Sequence, residues 1–127
     1  MWVSYESTRK HPQDFDVKYK LFSVSEGGRK RTFQGLRCDF AYQEDKIEDG
    51  IYCIHPEFED AKGNIIKNTE IPVPIVGIAR MWILSNEGRN SLHKKKIRVG
   101  VKGYMMEGAR KIGEVEVIKI VGLYSNS

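Results

Sequence analysis

Apolar and polar residues alternate along several short stretches of this chain, and this period of two limits its fold more than any other feature. In residues 17–21 and again in residues 96–104, apolar side chains take every second position and lysine or arginine most of the others. Such alternation predicts half-buried antiparallel strands. Residues 113–121 begin in the same way, but the parity slips at Val117 and Ile118, which predicts a β-bulge or burial on both faces.

Turn residues separate these stretches at short intervals. Two further apolar runs of strand length occupy residues 36–42 and 75–84. Gly27 and Gly28 predict a tight turn, and residues 106–110 predict a hairpin between two alternating runs. No window of 12 residues has the i, i+3, i+4, i+7 apolar spacing of a helix. Many short strands with regular turns predict an all-β sandwich or barrel.

The chain has the length of one domain. Its 127 residues, 40% of them apolar and 30% charged, have an ordinary soluble composition and are enough to bury about two thirds of the unfolded surface. We expect residues 1–15 to form an N-terminal arm and residues 16–127 a single β-barrel domain. Residues 44–70 are predicted to form an acidic, partly irregular excursion from that domain.

No apolar run approaches the roughly 20 residues that span a bilayer, so no membrane contact is expected. The N-terminus begins without a charged leader or apolar core of a signal peptide. We therefore expect a cytoplasmic location.

The charges are segregated along the chain, although the formal net charge is only +4. Residues 43–60 hold seven acidic residues and one lysine, whereas residues 80–111 hold nine basic residues and two glutamates. The basic part is suited to attract an anionic partner. The alternative is a soluble domain whose solvated charges are segregated without a partner.

Motifs for nucleotide, cofactor and metal binding are absent from the sequence. There is no phosphate-binding loop and no glycine-rich dinucleotide fingerprint. The histidines and the two cysteines, Cys38 and Cys53, have no metal-ligand spacing, and Cys38 is predicted to be a small buried core residue. We expect no cofactor, no metal site and no enzymatic activity. The remaining catalytic alternative is a hydrolase built on Cys53 and His55, which a strand would place on one face.

Two turns resemble each other, and each is followed at once by two basic residues. Glu-Gly-Gly-Arg-Lys at 26–30 parallels Glu-Gly-Ala-Arg-Lys at 107–111. A turn with free backbone N–H groups beside arginine and lysine is suited to contact a phosphate backbone. Arg29, Lys30, Arg110 and Lys111 are therefore candidate RNA-binding residues. The alternative is two ordinary turns with solvated bases.

The same segments resemble the C-terminal (third) domain of elongation factor Tu. The family's opening contains Glu-Gly-Gly-Arg and then Phe-x-Gly-Tyr-Arg; this chain has Glu-Gly-Gly-Arg at 26–29 and Phe-Gln-Gly-Leu-Arg at 33–37. The family's final hairpin, Arg-Glu-Gly-Gly-Arg-Thr-Val-Gly, is similar to Met-Glu-Gly-Ala-Arg-Lys-Ile-Gly at 106–113. The likeness covers about residues 17–42 and 74–121, with the acidic segment as an insertion.

The resemblance implies a six-stranded antiparallel Greek-key barrel that helps to hold the stem of a tRNA. Carried over by position, it assigns RNA contacts to Arg29, Lys30, Glu107 and Gly108. The sequence departs from the family at Lys30, where the family has histidine, and at Met106, where it has arginine. Ala109 and Cys38 replace a glycine and a proline. The nucleotide-binding domain and second barrel have no counterpart here, so we expect a binding module and not a working elongation factor.

We therefore expect a non-enzymatic module that binds structured RNA, such as a tRNA-like stem, through the two turns. The alternative is a protein–protein interaction module that uses the barrel wall or the acidic excursion at 44–62.

Overall fold

A computed structural model describes all 127 residues and contains one six-stranded antiparallel sheet. The strands follow one another in space in the order β2-β5-β6-β1-β4-β3. This architecture confirms the all-β prediction. The strands are β1 Phe15–Leu21, β2 Asp39–Tyr42, β3 Ile54–Phe58, β4 Val76–Ile83, β5 Lys102–Glu107 and β6 Arg110–Ile120.

Strand β1 lies in the middle of the sheet, between β6 and β4, and follows the predicted alternation. Val17, Tyr19 and Leu21 are buried, whereas Lys18 and Lys20 are exposed. The pairing with β6 shifts after Asp16, which leaves Ile118 as an extra residue. This is the bulge that the parity slip predicts, and it allows β6 to keep one apolar face inward on both sides of the shift.

The sheet curls, and its two edge strands meet at one point. Phe40 of β2 and Tyr52, just before β3, exchange two backbone hydrogen bonds of 2.9 and 2.8 Å. The apolar core lies on the inner side of this curl and includes Phe15, Phe58 and Met81, all without solvent exposure. Cys38 belongs to this core, as predicted, and Trp82 is buried outside it.

The predicted strand over 96–104 is wrong in its first half. Residues 86–96 are helical, as α2 Asn86–Gly88, a π-helical turn Arg89–His93 and α3 Lys94–Lys96. The backbone N–H of Ile97 still donates to the carbonyl of His93 at 2.9 Å, and Gly100 then turns the chain at a φ of 96°. Ile97 is buried as expected, but Val99 lies exposed in this turn, so β5 begins only at Lys102.

Two segments outside the main strands also pack against the sheet. The acidic segment 44–70 contains the edge strand β3, so it is not irregular throughout. Before β1, a short helix α1, Tyr5–Arg9, begins after the cap residue Ser4. It packs on the outer side of β4, where the rings of Tyr5 and Trp82 lie 5.6 Å apart.

A buried ion pair connects the start of β1 with the helical segment. Arg89 donates through Nε to Asp14 at 2.7 Å, and both side chains have no solvent exposure. Arg89 also donates to the carbonyl of Ile83 at 2.8 Å, and Asn126 donates to Asp14 at 3.0 Å. Every buried polar atom of this cluster has a partner, so it acts as a polar element of the core. No helix is both long and apolar enough to cross a membrane.

Candidate functional site

The first of the two similar turns is a compact loop that requires its glycines. A 3-10 turn, Val24–Glu26, is closed by the carboxylate of Glu26, which accepts from the backbone N–H of Ser23 at 2.9 Å. Gly27 follows with a φ of 95°, a conformation that glycine adopts without steric cost. At Gly28, a Cβ atom would lie 1.9 Å from the carbonyl oxygen of Phe22. Gly28 is therefore the position on the way to Arg29 that only glycine can occupy.

The second turn is the predicted hairpin between β5 and β6. Glu107 pairs with Arg110 across a two-residue loop. Gly108, the first loop residue, has a φ of 58°, and positive φ at this position is typical of tight hairpin turns. Arg110 and Lys111, the first two residues of β6, follow this loop directly and lie at the end of the sheet.

The carboxylate of Glu107 brings the two turns together. One of its oxygens accepts from Arg29 in the first turn, and the other accepts from Arg110 at 2.5 Å in the second. Arg29 also donates through Nε to the carbonyl of Arg31 at 3.1 Å. Residues 78 positions apart in sequence thus form one surface. We call Arg29, Lys30, Arg31, Glu107, Gly108, Arg110 and Lys111 the two-turn surface.

Apart from Arg29 and Arg110, the basic residues of the two-turn surface have no ion pair, so their positive charge is available to a ligand. Lys30 and Arg31 are exposed and have no ion pair. Lys111 is exposed, with its ammonium 4.2 Å above the ring of Tyr104. The neighbouring Glu26 is held by Ser23, and these hydrogen bonds lower the pKa of its carboxyl group. Five bases against Glu107 and Glu26 leave a net positive surface suited to a phosphate-bearing ligand.

The two glutamates of the similar turns have different roles, which the sequence comparison alone does not reveal. Glu26 closes its own turn, whereas Glu107 joins two turns. The repeated Glu-Gly pattern predicts two turns, but it does not predict that the two turns contact each other. That contact depends on β6 lying beside β1, which is a long-range property of the sheet.

Cys53 and His55 do not form a nucleophile–base pair in this structure. Cys53 is exposed and its thiol makes no hydrogen bond, while Nδ1 of His55 lies 3.4 Å from the hydroxyl of Tyr5. Burial lowers the pKa of His55. Cys38 is buried, which raises the pKa of its thiol to about 12 and keeps it protonated. No group of three histidine, cysteine or carboxylate side chains is placed to hold a metal ion.

Most acidic side chains of the 44–62 excursion are already paired within the chain. Lys96 donates to Asp45 at 2.7 Å and lies 3.4 Å from Glu44. Glu59 accepts from Arg80 at 2.8 Å, and Asp60 accepts from backbone groups of its own turn. Glu57 is buried. Glu48 and Asp49 are the exposed acids of this segment that have neither an ion pair nor a side-chain hydrogen bond, whereas the exposed Asp60 is held only by backbone N–H groups.

No protein-family model and no curated protein sequence matches this chain.

Proposed function

We propose that this chain is a non-enzymatic module that binds structured RNA through the two-turn surface. We further propose that its sheet is a Greek-key barrel related to the third domain of elongation factor Tu. The six antiparallel strands agree in number and direction with what that resemblance implies.

The observation that carries this proposal is the shared carboxylate of Glu107. It holds Arg29 and Arg110 side by side, so that one arginine from each turn is available to the same ligand. Arginine presents a planar fork that matches phosphate oxygens, while Lys30 and Lys111 add point charges. A carboxylate has about four acceptor sites. Glu107 can therefore accept a ribose 2′-hydroxyl while it holds both arginines.

The experiment measures binding to a fluorescein-labelled tRNA-like stem-loop by fluorescence anisotropy over a range of salt concentrations. Lys30→Ala and Lys111→Ala each remove one basic side chain that has no ion pair. Each should weaken RNA binding, with a salt slope smaller by up to about one unit. Arg29→Ala and Arg110→Ala should reduce the slope less, because Glu107 already neutralises part of their charge. Lys62→Ala is the matched control, since Lys62 is an exposed lysine in the turn between β3 and β4.

Several results would overturn the proposal. One is the absence of salt-dependent RNA binding, and another is an equal loss in the Lys62→Ala control. If charge reversal at Glu48 and Asp49 instead abolishes capture of a protein partner that RNase treatment leaves bound, the module is a protein-binding one that uses the acidic excursion.

A further inference from the structure

A cleft of about 410 Å³ opens beside the first turn, at the end of β1 and the start of β4. The interior face of these two strands ends here without a cover. The backbone N–H of Leu21 donates to the carbonyl of Ile75 at 2.8 Å, so the two residues lie opposite each other. Leu21 belongs to the core, whereas the side chain of Ile75 is 68% exposed.

The floor of the cleft is continuous with the hydrophobic core, and its walls are apolar. Leu21 and Val73, both members of the core cluster, line it from below. Val24 and Ile75 line its sides, and Val24 is 64% exposed. A continuous exposed apolar surface with a polar rim is typical of an interaction site.

The rim of the cleft is basic. Lys20, Arg29, Lys30 and Arg31 line it, together with one acidic residue, Glu26. The carboxylate of Glu26 is occupied by the backbone and hydroxyl groups of Ser23. A ligand in the cleft therefore meets mainly aliphatic side chains at its centre and a net positive charge at its edge.

We propose that this cleft binds an extended segment of a partner protein in which apolar side chains alternate with aspartate or glutamate. The apolar side chains enter between Val24 and Ile75 and contact the core residues below, while the carboxylates pair with the basic rim. In an extended peptide successive side chains point to opposite sides, which separates the two kinds of contact. Nucleic acid is a poorer occupant, since the most exposed wall residues, Val24 and Ile75, are aliphatic and the one aromatic residue of the lining, Phe22, is half-buried, which limits base stacking.

The proposal is independent of RNA binding, although Arg29, Lys30 and Arg31 belong to both surfaces. Variants of the apolar walls separate the two. Ile75→Gln and Val24→Gln change exposed side chains that are not part of the two-turn surface, so they should leave the salt-dependent RNA affinity unchanged.

The test uses a fluorescein-labelled peptide of about ten residues in which leucine alternates with aspartate, titrated with the full chain. Binding should be weakened about tenfold by Ile75→Gln, the equivalent of about 1.4 kcal/mol, and to a similar extent by Arg31→Glu. Val99→Gln is the matched control, because Val99 is 65% exposed but lies in the turn before β5. Circular dichroism of each variant verifies its fold.

Three outcomes would overturn the proposal. The first is that the leucine–aspartate peptide does not bind. The second is that a peptide with serine in place of leucine binds equally well, since the cleft would then be only an anion site. The third is concentration-dependent self-association of the chain that Ile75→Gln removes, because a second copy would then be the occupant.

Discussion

His93 is a buried histidine whose surroundings favour the neutral ring. Its Nδ1 is hydrogen-bonded to the hydroxyl of Tyr42 at 2.6 Å, and the ring of Tyr52 packs edge-on with ring centroids 4.9 Å apart. Burial lowers the pKa of His93 to about 4, and the charges of Arg89 and Lys96 act in the same direction. The carboxylate of Asp14 opposes this shift without overcoming it.

The lowered pKa of His93 predicts a loss of stability in mild acid. A proton binds more tightly to the unfolded chain, where the pKa is about 6.5, so the contribution is complete above that pH and declines as the pH falls toward 4. The free energy of unfolding, measured in urea, should decrease by about 2 kcal/mol between pH 7 and pH 5. His55, whose pKa is also lowered, adds to the same trend. The His93→Asn variant should lose most of this pH dependence; an unchanged slope would show that His93 is not responsible.

Glu57 is a buried carboxylate whose charge is compensated by hydrogen bonds. It accepts from the indole N–H of Trp2 at 2.7 Å, from the backbone N–H of Tyr5 at 3.0 Å and from the indole N–H of Trp82 at 3.3 Å. Two of these three donors belong to residues 1–9. The N-terminal segment therefore contributes directly to solvating a charge inside the protein.

Removal of one hydrogen-bond donor to Glu57 should lower the free energy of unfolding, even when an aromatic side chain remains at that position. Trp2→Phe preserves most of the apolar contact but deletes the charged hydrogen bond, so we expect a loss of about 1.5–3 kcal/mol in the free energy of unfolding. Tyr5→Phe is the matched control, because Tyr5 donates to Glu57 through its backbone and should lose much less. Equal effects of the two substitutions would contradict this role of the indole.

At the scale of the element, the first turn offers a test of how local structure positions the two-turn surface. Gly28→Ala would place a methyl group against the backbone of Phe22 and should displace Arg29 from Glu107. Gly27→Ala meets no atom within 4 Å and carries only the cost of a positive φ, about 1 kcal/mol. We expect Gly28→Ala to destabilise the chain more and to weaken RNA binding, whereas Gly27→Ala should bind RNA almost normally. Equal RNA affinities would mean that the turn geometry does not position the site.

The strands that could be predicted from the sequence are those with one solvent-exposed face and one buried face. β1 alternates cleanly, and the bulge in β6 was visible as a parity slip at Ile118. β3 was not predicted as a strand, because its residues Ile54–Phe58, although they alternate, are only five, include a proline and lie in an acidic segment. Glu57 lies on the outer face of the sheet and is buried because the N-terminal segment covers it, with the indole groups of Trp2 and Trp82 as hydrogen-bond donors.

The helical segment was missed for a similar reason. Its inward-facing residues include Arg89 and His93, whose polar groups are satisfied by Asp14 and Tyr42. A polar side chain that is buried with its partner gives no apolar stripe, so the periodicity of residues 86–96 did not indicate a helix. In the candidate site, the two turns were predictable from glycine and charge, whereas their connection through Glu107 depends on the tertiary fold.

Considered as a whole, the molecule is a sheet that is strong at its centre and weak where its edges meet. β1 is paired along its full length with β6 and along nearly all of it with β4. The two edge strands are linked only by the bridge between Phe40 and Tyr52. Local opening of such a link requires less free energy than global unfolding, since few contacts are broken.

We call the bridge between Phe40 and Tyr52 the seam. The difference in pairing predicts that amide hydrogen exchange becomes slower from the seam to the central strand β1. The amides of Phe40 and Tyr52, which donate across the seam, should exchange through local opening, at a rate that depends weakly on denaturant. The hydrogen-bonded amides of β1 should exchange only by global unfolding, at least about tenfold more slowly, which corresponds to about 1.4 kcal/mol. Native-state exchange followed by NMR at increasing urea concentrations measures both. Equal protection and equal denaturant dependence at the seam and in β1 would contradict the prediction, because the closed edge would then unfold together with the centre as one cooperative barrel.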